Sequence, residues 1–229
     1  MRVPGALETG VAAVLWTAFV VGISVLTLTV PVYTSALTQA LGVPASAGMP
    51  AADVVALSAR VRSFVADPET ENLPAVWKGR PAFGLPEVAH LRDVRAVLSG
   101  ARTATGAAAL LLAGYVAWCV AKKRFALLRR GMTWGAATTA ALVALAAAAS
   151  LLDFSSFFAA FHGLFFAAGT WTFPYDSLLI RLFPESFWAA SGAAWAGLCL
   201  AAAGVLGLAS RLLRAAATNN YASRTANNV

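Results

Sequence analysis

The chain has 229 residues, of which 59% are apolar and 12% are charged, with a formal net charge of +7. Its mean hydropathy is +0.71. A soluble domain of this length has too little interior for so much apolar surface, so the composition indicates an integral membrane protein. The basic residues form no basic domain and are not interleaved with aromatic residues, which argues against a nucleic-acid partner.

Four charge-free stretches are long enough to cross a bilayer, at residues 11–31, 103–121, 131–152 and 186–210. A bilayer core needs roughly 20 residues of helix, and in lipid only helices and closed barrels satisfy the backbone. The runs of Ala, Leu and Val predict helices, and Ala and Gly in the last three allow close helix approach. The sequence therefore predicts an all-α membrane protein, a four-transmembrane-helix bundle in one domain.

The basic residues predict the orientation of this bundle. The two termini and the short loop between spans two and three carry nine basic residues and one acid. The loops at 32–102 and 153–185 carry eight basic residues and nine acids. By the positive-inside rule both termini are cytoplasmic and both long loops are extracytoplasmic. The first span begins after Arg2 like a signal peptide, but it is too long for a usual signal core, so we expect it to be uncleaved.

The first long loop is long enough to be structured. Apolar residues at helical spacing predict a helix over 52–66, whereas Pro and Gly make 72–86 irregular. Pro86 suits the first turn of another helix, which we expect to run to about Leu98, close to the second span.

The second long loop contains an unusually apolar segment at 155–173, rich in Phe. We interpret it as a helix in the outer membrane interface. The alternative, a fifth span, leaves no room for a loop after span three and would place Arg211 and Arg214 outside. A short helix is expected over 176–182. Cys119 and Cys199 fall inside spans and suggest no disulfide framework.

The only two histidines lie in these long loops. His90 has Glu87 three residues before it and Asp93 three residues after it, so on a helix either acid could accept a hydrogen bond from its imidazole. A solvated surface helix explains the same pattern without function. His162 has Phe at positions −4, +3 and +4, and such apolar surroundings favour the neutral imidazole. A histidine reaching for the headgroups is the competing interpretation there.

Each histidine lies in a distinctive motif. The longer motif is PheHisGlyLeuPhePhe at 161–166 with TrpThrPheProTyrAspSerLeuLeuIleArgLeuPheProGluSerPheTrp at 171–188. The other is GluValAlaHisLeuArgAspValArg at 87–95. Both motifs resemble those of the lipoprotein intramolecular transacylase family, Lit, and the order of spans, long loops and histidines also matches that family.

The resemblance implies a membrane enzyme that needs His90 and His162. Its substrate would be a lipoprotein whose N-terminal cysteine carries a diacylglyceryl group. The sn-2 acyl chain would move to the cysteine α-amine, giving a lyso-form lipoprotein at the outer leaflet of the cell membrane. Membrane lipid would be the other partner, and no cofactor or metal is expected.

The chemistry of ester-to-amine transfer fits these residues. The substrate supplies its own nucleophile, and a neutral histidine can accept the amine proton and return it to glycerol. Which histidine is the base stays open, as does whether the other histidine or Arg95 stabilises the oxyanion. The full set of candidate supporting or substrate-binding residues is Glu87, Asp93, Arg95, Phe161, Phe165, Phe166, Trp171 and Asp176.

Three other classes remain open on the sequence. A metal-dependent hydrolase could build a zinc site from both histidines with Glu87, Asp93 or Asp176, although catalytic zinc usually takes three protein ligands. A transporter would normally place ionisable residues inside the spans, and here the spans contain none. A non-catalytic membrane protein would not depend on the histidines at all.

Overall fold

The structure is a computed structural model and describes residues 5–70, 72–73 and 76–226, with side chains as far as residue 216. The elements in chain order are α1 (Ala6–Thr27), α2 (Pro31–Ala40), α3 (Val43–Ala47), α4 (Ala51–Ala66), β1 (Val76–Trp77), β2 (Arg80–Pro81), α5 (Leu85–Ala121), α6 (Phe125–Leu152), α7 (Phe154–Gly163), α8 (Leu178–Leu182) and α9 (Glu185–Ala226). The two short strands pair antiparallel, with Val76 opposite Pro81 and Trp77 opposite Arg80.

Four of these helices, α1, α5, α6 and α9, are long and apolar enough to cross a membrane. Each contains most or all of one predicted span, which confirms the all-α, four-span class. The prediction of a separate helix ending near Leu98 is wrong, because α5 continues without a break into the second span. Between Leu98 and the span only Gly100 weakens the helix, and one Gly costs about 1 kcal/mol relative to Ala, too little to end it.

The long loops are more helical than predicted. The helix over 52–66 is confirmed as α4, whereas α2 and α3 were not predicted. The apolar segment at 155–173 forms a helix only as far as Gly163, and the chain then turns, with Gly169 at a φ of 82°. A helix of ten residues is too short to span a bilayer, so α7 is not a fifth span. The short helix over 176–182 is confirmed as α8, which begins after the N-cap Ser177.

The described chain divides into two compact units, and the boundary falls inside each of the four long helices. The helix unit is Met1–Ser24, Ala104–Ala146 and Ala196–Val229. The loop unit is Val25–Thr103 and Ala147–Trp195.

Small residues allow close helix approach in the helix unit. A Cβ atom at Gly131 would lie 2.8 Å from the Ala12 Cβ, and one at Gly135 would lie 2.5 Å from the Trp16 Cβ. Both positions join α6 to α1. The hydroxyls of Thr133 and Ser210 are 2.6 Å apart and join α6 to α9. Such small-residue contacts with interhelical hydrogen bonds are typical of helices in lipid.

The loop unit instead has a core of large apolar side chains. Its buried members come from α3, α4, α5, α8, the start of α9 and the segments between them. They are Val43, Ala47, Met49, Val54, Leu57, Val61, Phe64, Phe83, Leu91, Leu178, Leu179, Leu182, Phe183 and Phe187. Because this core contains residues of both long loops, it fixes the first part of α5 against the segment around α8.

Two arginines of α5 hold the carboxyl end of α4. Arg95 donates hydrogen bonds to the carbonyls of Phe64, at 3.2 Å, Pro68, at 2.7 Å, and Thr70. Arg102 donates to the carbonyl of Ala66. The last carbonyls of a helix have no partner within the helix, so these guanidinium groups satisfy oxygens that would otherwise be unpaired.

Candidate active site

His90 lies in the first part of α5, next to the core residue Leu91. Only 8% of His90 is exposed. Its ring is 4.9 Å from the ring of Phe166, edge to face, and 5.6 Å from the ring of Phe173, measured between centroids. Its Nδ1 atom is buried and makes no hydrogen bond with any described residue. A buried polar atom without a partner is costly to the fold, so this nitrogen is available to a ligand.

His162 lies in the last turn of α7, where its ring is partly exposed. The ring centroid is 4.0 Å from that of Phe158, one turn earlier, and 4.7 Å from that of Trp171. The Nδ1 atom is 2.9 Å from the carbonyl oxygen of Phe158. A carbonyl oxygen only accepts, so Nδ1 carries the hydrogen in this bond and Nε2 of the neutral ring has a free lone pair.

The fold brings the two histidines together although they come from different loops. Their ring centroids are 6.4 Å apart and their planes are inclined by 29°. Phe166 contacts both, with its ring 4.9 Å from His90 and 5.7 Å from His162. The two imidazoles thus lie among the rings of Phe158, Phe166, Trp171 and Phe173, which we call the aromatic enclosure. Within it, Nε2 of His162 is available as a hydrogen-bond acceptor.

Burial favours the neutral form of both rings. His90 lies on the charged amino-terminal part of α5, before the charge-free stretch that begins at Thr103. Burial lowers the pKa of His90 below its ordinary value, and the charge of His162 lowers it further, whereas Asp93 raises it. Burial also lowers the pKa of His162, against the hydrogen bond to the Phe158 carbonyl, which raises it. Both imidazoles can therefore act as neutral bases or donors near neutral pH.

The two acids that flank His90 do not bind it. Glu87 is only 8% exposed. It accepts hydrogen bonds from the backbone N–H of Gly84, at 2.6 Å, and of Leu179, at 3.3 Å. Asp93 is exposed and acts on His90 only through its charge. The expected carboxylate that orients His90 through a hydrogen bond is thus not found, because Glu87 turns to backbone donors.

The other predicted site residues differ in how they meet the histidines. The rings of Phe161, Phe166 and Trp171 contact a histidine, whereas Phe165 packs on Phe161 and Phe166. About half of Phe161 and of Phe165 is exposed, 48% and 49%. Arg95 donates its hydrogen bonds to the backbone carbonyls at the end of α4. The exposed Asp176 makes no hydrogen bond or ion pair with either histidine.

Sequence reasoning missed Phe173 as a neighbour of His90 and the Phe158 carbonyl as the group that orients His162. The helical spacing of Phe158 and His162 was a signal for the second. No local signal pointed to the first, since it depends on how two loops pack. Within the described residues, no three of the His, Cys, Asp and Glu side chains come together as a metal site. The zinc-site alternative therefore lacks a third ligand in that part of the chain.

The family model of the lipoprotein intramolecular transacylase Lit matches residues 9–188. The chain belongs to this family. It is a multi-pass membrane enzyme, an intramolecular transacylase with lipoproteins as substrates.

Solved structures agree with this assignment at the level of the fold. The structure of the membrane integral transacylase Lit from Bacillus cereus has a TM-score of 0.81 at 16% sequence identity. The match covers 93% of this chain and 97% of that one. Two variants of the same bacterial enzyme, each with one histidine replaced, give TM-scores of 0.75 and 0.74 at 17% identity. These cover 94% and 93% of this chain, and 94% and 95% of the other chains. A search of curated protein sequences finds no match.

Proposed function

We propose that this transacylase moves the sn-2 acyl chain of a diacylglyceryl-modified lipoprotein to the α-amine of its N-terminal cysteine, leaving a lyso-form lipoprotein, and that His90 and His162 perform the transfer. One observation carries the assignment. The hydrogen bond from His162 Nδ1 to the Phe158 carbonyl leaves Nε2 as an acceptor, beside a second, buried imidazole 6.4 Å away.

In this proposal His162 is the base. The α-ammonium group has a pKa of roughly 7.7–8.0, so a fraction of free amine exists near neutral pH. This amine attacks the carbonyl carbon of the sn-2 ester. As the N–C bond forms, Nε2 of His162 takes the proton that the nitrogen sheds. When the C–O bond to glycerol breaks, the same imidazolium returns this proton to the glycerol oxygen, so that no other reactant is needed.

His90 would stabilise the negative charge that develops on the carbonyl oxygen. A neutral imidazole carries one N–H, and a donor aimed at a developing oxyanion is worth roughly 10²–10³-fold in rate. The orphaned Nδ1 of His90 supports this role, since a substrate atom would supply its missing partner. Of the two candidates for this role, His90 is favoured over Arg95, because the hydrogen bonds of Arg95 go to the end of α4.

The remaining contribution is orientation. The amine and the ester belong to one substrate molecule, and a well-oriented intramolecular pair can gain roughly 7–11 kcal/mol of barrier. The half-exposed rings of Phe161 and Phe165 offer an apolar wall beside His162 on which the acyl chain can lie. We assign membrane lipid as the medium from which the substrate reaches this wall.

We also propose that the chain is one integral domain with cytoplasmic termini and an extracytoplasmic active site, on the basis of the basic residues near the termini and the short loop. Single cysteines at Glu69 and Arg124, in a background with Cys119 and Cys199 replaced, test this topology. A membrane-impermeant thiol reagent should label the first from outside intact cells and the second only after permeabilisation. The reverse pattern would overturn the orientation.

The reaction is tested with a synthetic diacylglyceryl lipopeptide whose sn-2 chain is isotopically labelled. This substrate is mixed with a second one that is labelled only in its peptide. Because the transfer is intramolecular, no product molecule should carry both the labelled acyl chain and the labelled peptide. Mass spectrometry should find the sn-2 chain on the α-amine and a free hydroxyl on the glycerol. Free fatty acid as the main product, or exchange of labels between molecules, would contradict an intramolecular transfer.

A further inference from the structure

Glu87 is a buried acid that the proposed chemistry does not use. It lies one turn before His90 on α5, yet both of its carboxylate oxygens turn away to backbone donors. Oε2 accepts from the N–H of Gly84, at 2.6 Å, and Oε1 accepts from the N–H of Leu179, at 3.3 Å. A carboxylate is costly to bury unless its oxygens are hydrogen-bonded, so these two bonds explain how Glu87 is tolerated at 8% exposure.

The second of these bonds connects two parts of the active site. Leu179 is in the first turn of α8, where backbone N–H groups have no partner within the helix. The segment that leads into α8 contains Phe166, Trp171 and Phe173, whose rings contact the two histidines. Glu87 therefore ties the turn of α5 that carries His90 to the helix at the end of the aromatic segment.

We propose that Glu87 is a positioning residue that holds the aromatic segment against His90 by accepting the N–H of Leu179, so that His90 stays enclosed and correctly placed for transfer. This inference rests on the proposed role of His90 in the reaction. Leu179 is itself in the core of the loop unit, so a shift at α8 is transmitted to the enclosure of both rings. Misplacement of a reacting group by 1 Å can cost about 10²-fold in rate.

The test compares Glu87→Gln and Glu87→Ala with Asp53→Asn in full-length protein in lipid nanodiscs. Glutamine keeps one acceptor oxygen and so can serve only one of the two N–H groups, whereas alanine serves neither. Asp53 is the matched control, because it is a partly buried acid of the loop unit that likewise accepts a hydrogen bond, from the indole N–H of Trp77 at 3.1 Å. We expect kcat to fall on the order of tenfold for Gln and 10²-fold for Ala, with KM less affected and the control unchanged.

A second readout does not depend on catalysis. Diethyl pyrocarbonate modifies neutral imidazoles, and with only two histidines in the chain mass spectrometry assigns each modified peptide. We expect His90 to react faster in both Glu87 variants and at the wild-type rate in Asp53→Asn. A merely structural role would lower the thermal midpoint without selectively exposing His90.

The pH dependence of the same modification separates positioning from a direct charge effect. His162 from α7 and Asp93 from α5 are the ionisable groups that act on His90. Opening the enclosure should move the His90 titration up toward pH 6.5, because hydration favours imidazolium. If Glu87 instead stabilised imidazolium directly, its neutralisation would move the titration down.

The outcomes are distinguishable. If His90 in Glu87→Gln is modified at the wild-type rate, the positioning role is overturned, whatever the activity of the variant. Should Glu87→Ala fail to fold, the result for Glu87→Gln alone decides the test. A downward shift of the titration also overturns it. Faster modification of His90 with unchanged kcat would support the positioning and instead remove His90 from the proposed mechanism.

Discussion

The two compact units of this transacylase differ in the side chains that stabilise the inside of each unit. In the helix unit, neighbouring helices approach closely at glycines, as at Gly131 and Gly135. In the loop unit, large apolar residues fill a core and arginines bind backbone carbonyls. Lipid is as apolar as leucine, so burying leucine between spans gains little and close approach matters more. Segments outside lipid gain from hydrophobic burial in the ordinary way.

The same difference explains why the candidate catalytic residues lie in the loop unit and not in the helix unit. Both histidines and the aromatic segment belong to the loop unit. A core of large side chains can enclose an imidazole and hold it neutral, as burial does for His90 and His162. Helices packed through glycine offer no such enclosure at Gly131 or Gly135, where the neighbouring helix occupies the space that a side chain would need.

The largest expected effect is the loss of kcat when either histidine of the loop unit is replaced. His162→Ala should lower kcat about 10²–10⁴-fold, the usual contribution of an acid–base group, while the protein still inserts and keeps its thermal midpoint. His90→Ala should lower it about 10²–10³-fold, as expected for loss of an oxyanion donor. Lipopeptide turnover followed by mass spectrometry measures both. Near-normal turnover in either variant would make that histidine structural.

A smaller effect tests the helix unit. Gly135→Ala should destabilise the protein by about 1–3 kcal/mol, because the added Cβ would lie 2.5 Å from the Trp16 Cβ and the helices must shift. Gly114→Ala on α5 is the matched control, since nothing lies within 4 Å of a Cβ there. It should be neutral or stabilise by up to about 1 kcal/mol through helix propensity. Thermal unfolding in the same detergent compares the two, and equal stabilities would contradict the close-packing account.

The smallest effect concerns ionisation in the loop unit. Each histidine can be followed by NMR in the variant that lacks the other, and each should titrate below pH 6.5, because burial is the largest cause of both lowered pKa values. In His162→Ala the His90 pKa loses one lowering influence but keeps burial. A group with a lowered folded-state pKa stabilises the fold above about pH 6.5, and this contribution is lost as the pH falls. Titration at or above 6.5 would show that the enclosure is open to water.

Much of the helix unit could be predicted from the sequence. Charge-free runs bounded by charged residues specify spans because lipid imposes one simple requirement on the backbone. In the loop unit, the buried face of α4 could also be predicted, since Val54, Leu57, Val61 and Phe64 repeat at helical spacing. The identity of the two histidines as the candidate pair followed from their scarcity and their motifs.

The geometry around the pair could not be predicted in the same way. Helical spacing places Glu87 and Asp93 near His90, but it does not indicate that Glu87 finds better donors at Gly84 and Leu179. The sequence likewise permits Arg95 as an oxyanion donor, but it does not indicate that the carbonyls at the end of α4 bind this guanidinium group. In each case a backbone group from a distant segment competes for the side chain, and only the packed structure reveals it.

The central claim, that His90 and His162 act in one step, is tested most directly by a double-mutant kinetic cycle. Turnover of the lipopeptide is measured by mass spectrometry for wild type, His90→Ala, His162→Ala and the double variant. Residues that act as a unit are strongly non-additive, so the double variant should be about as slow as the slower single variant. Rate losses that multiply fully in the double variant would show independent contributions and contradict a shared step.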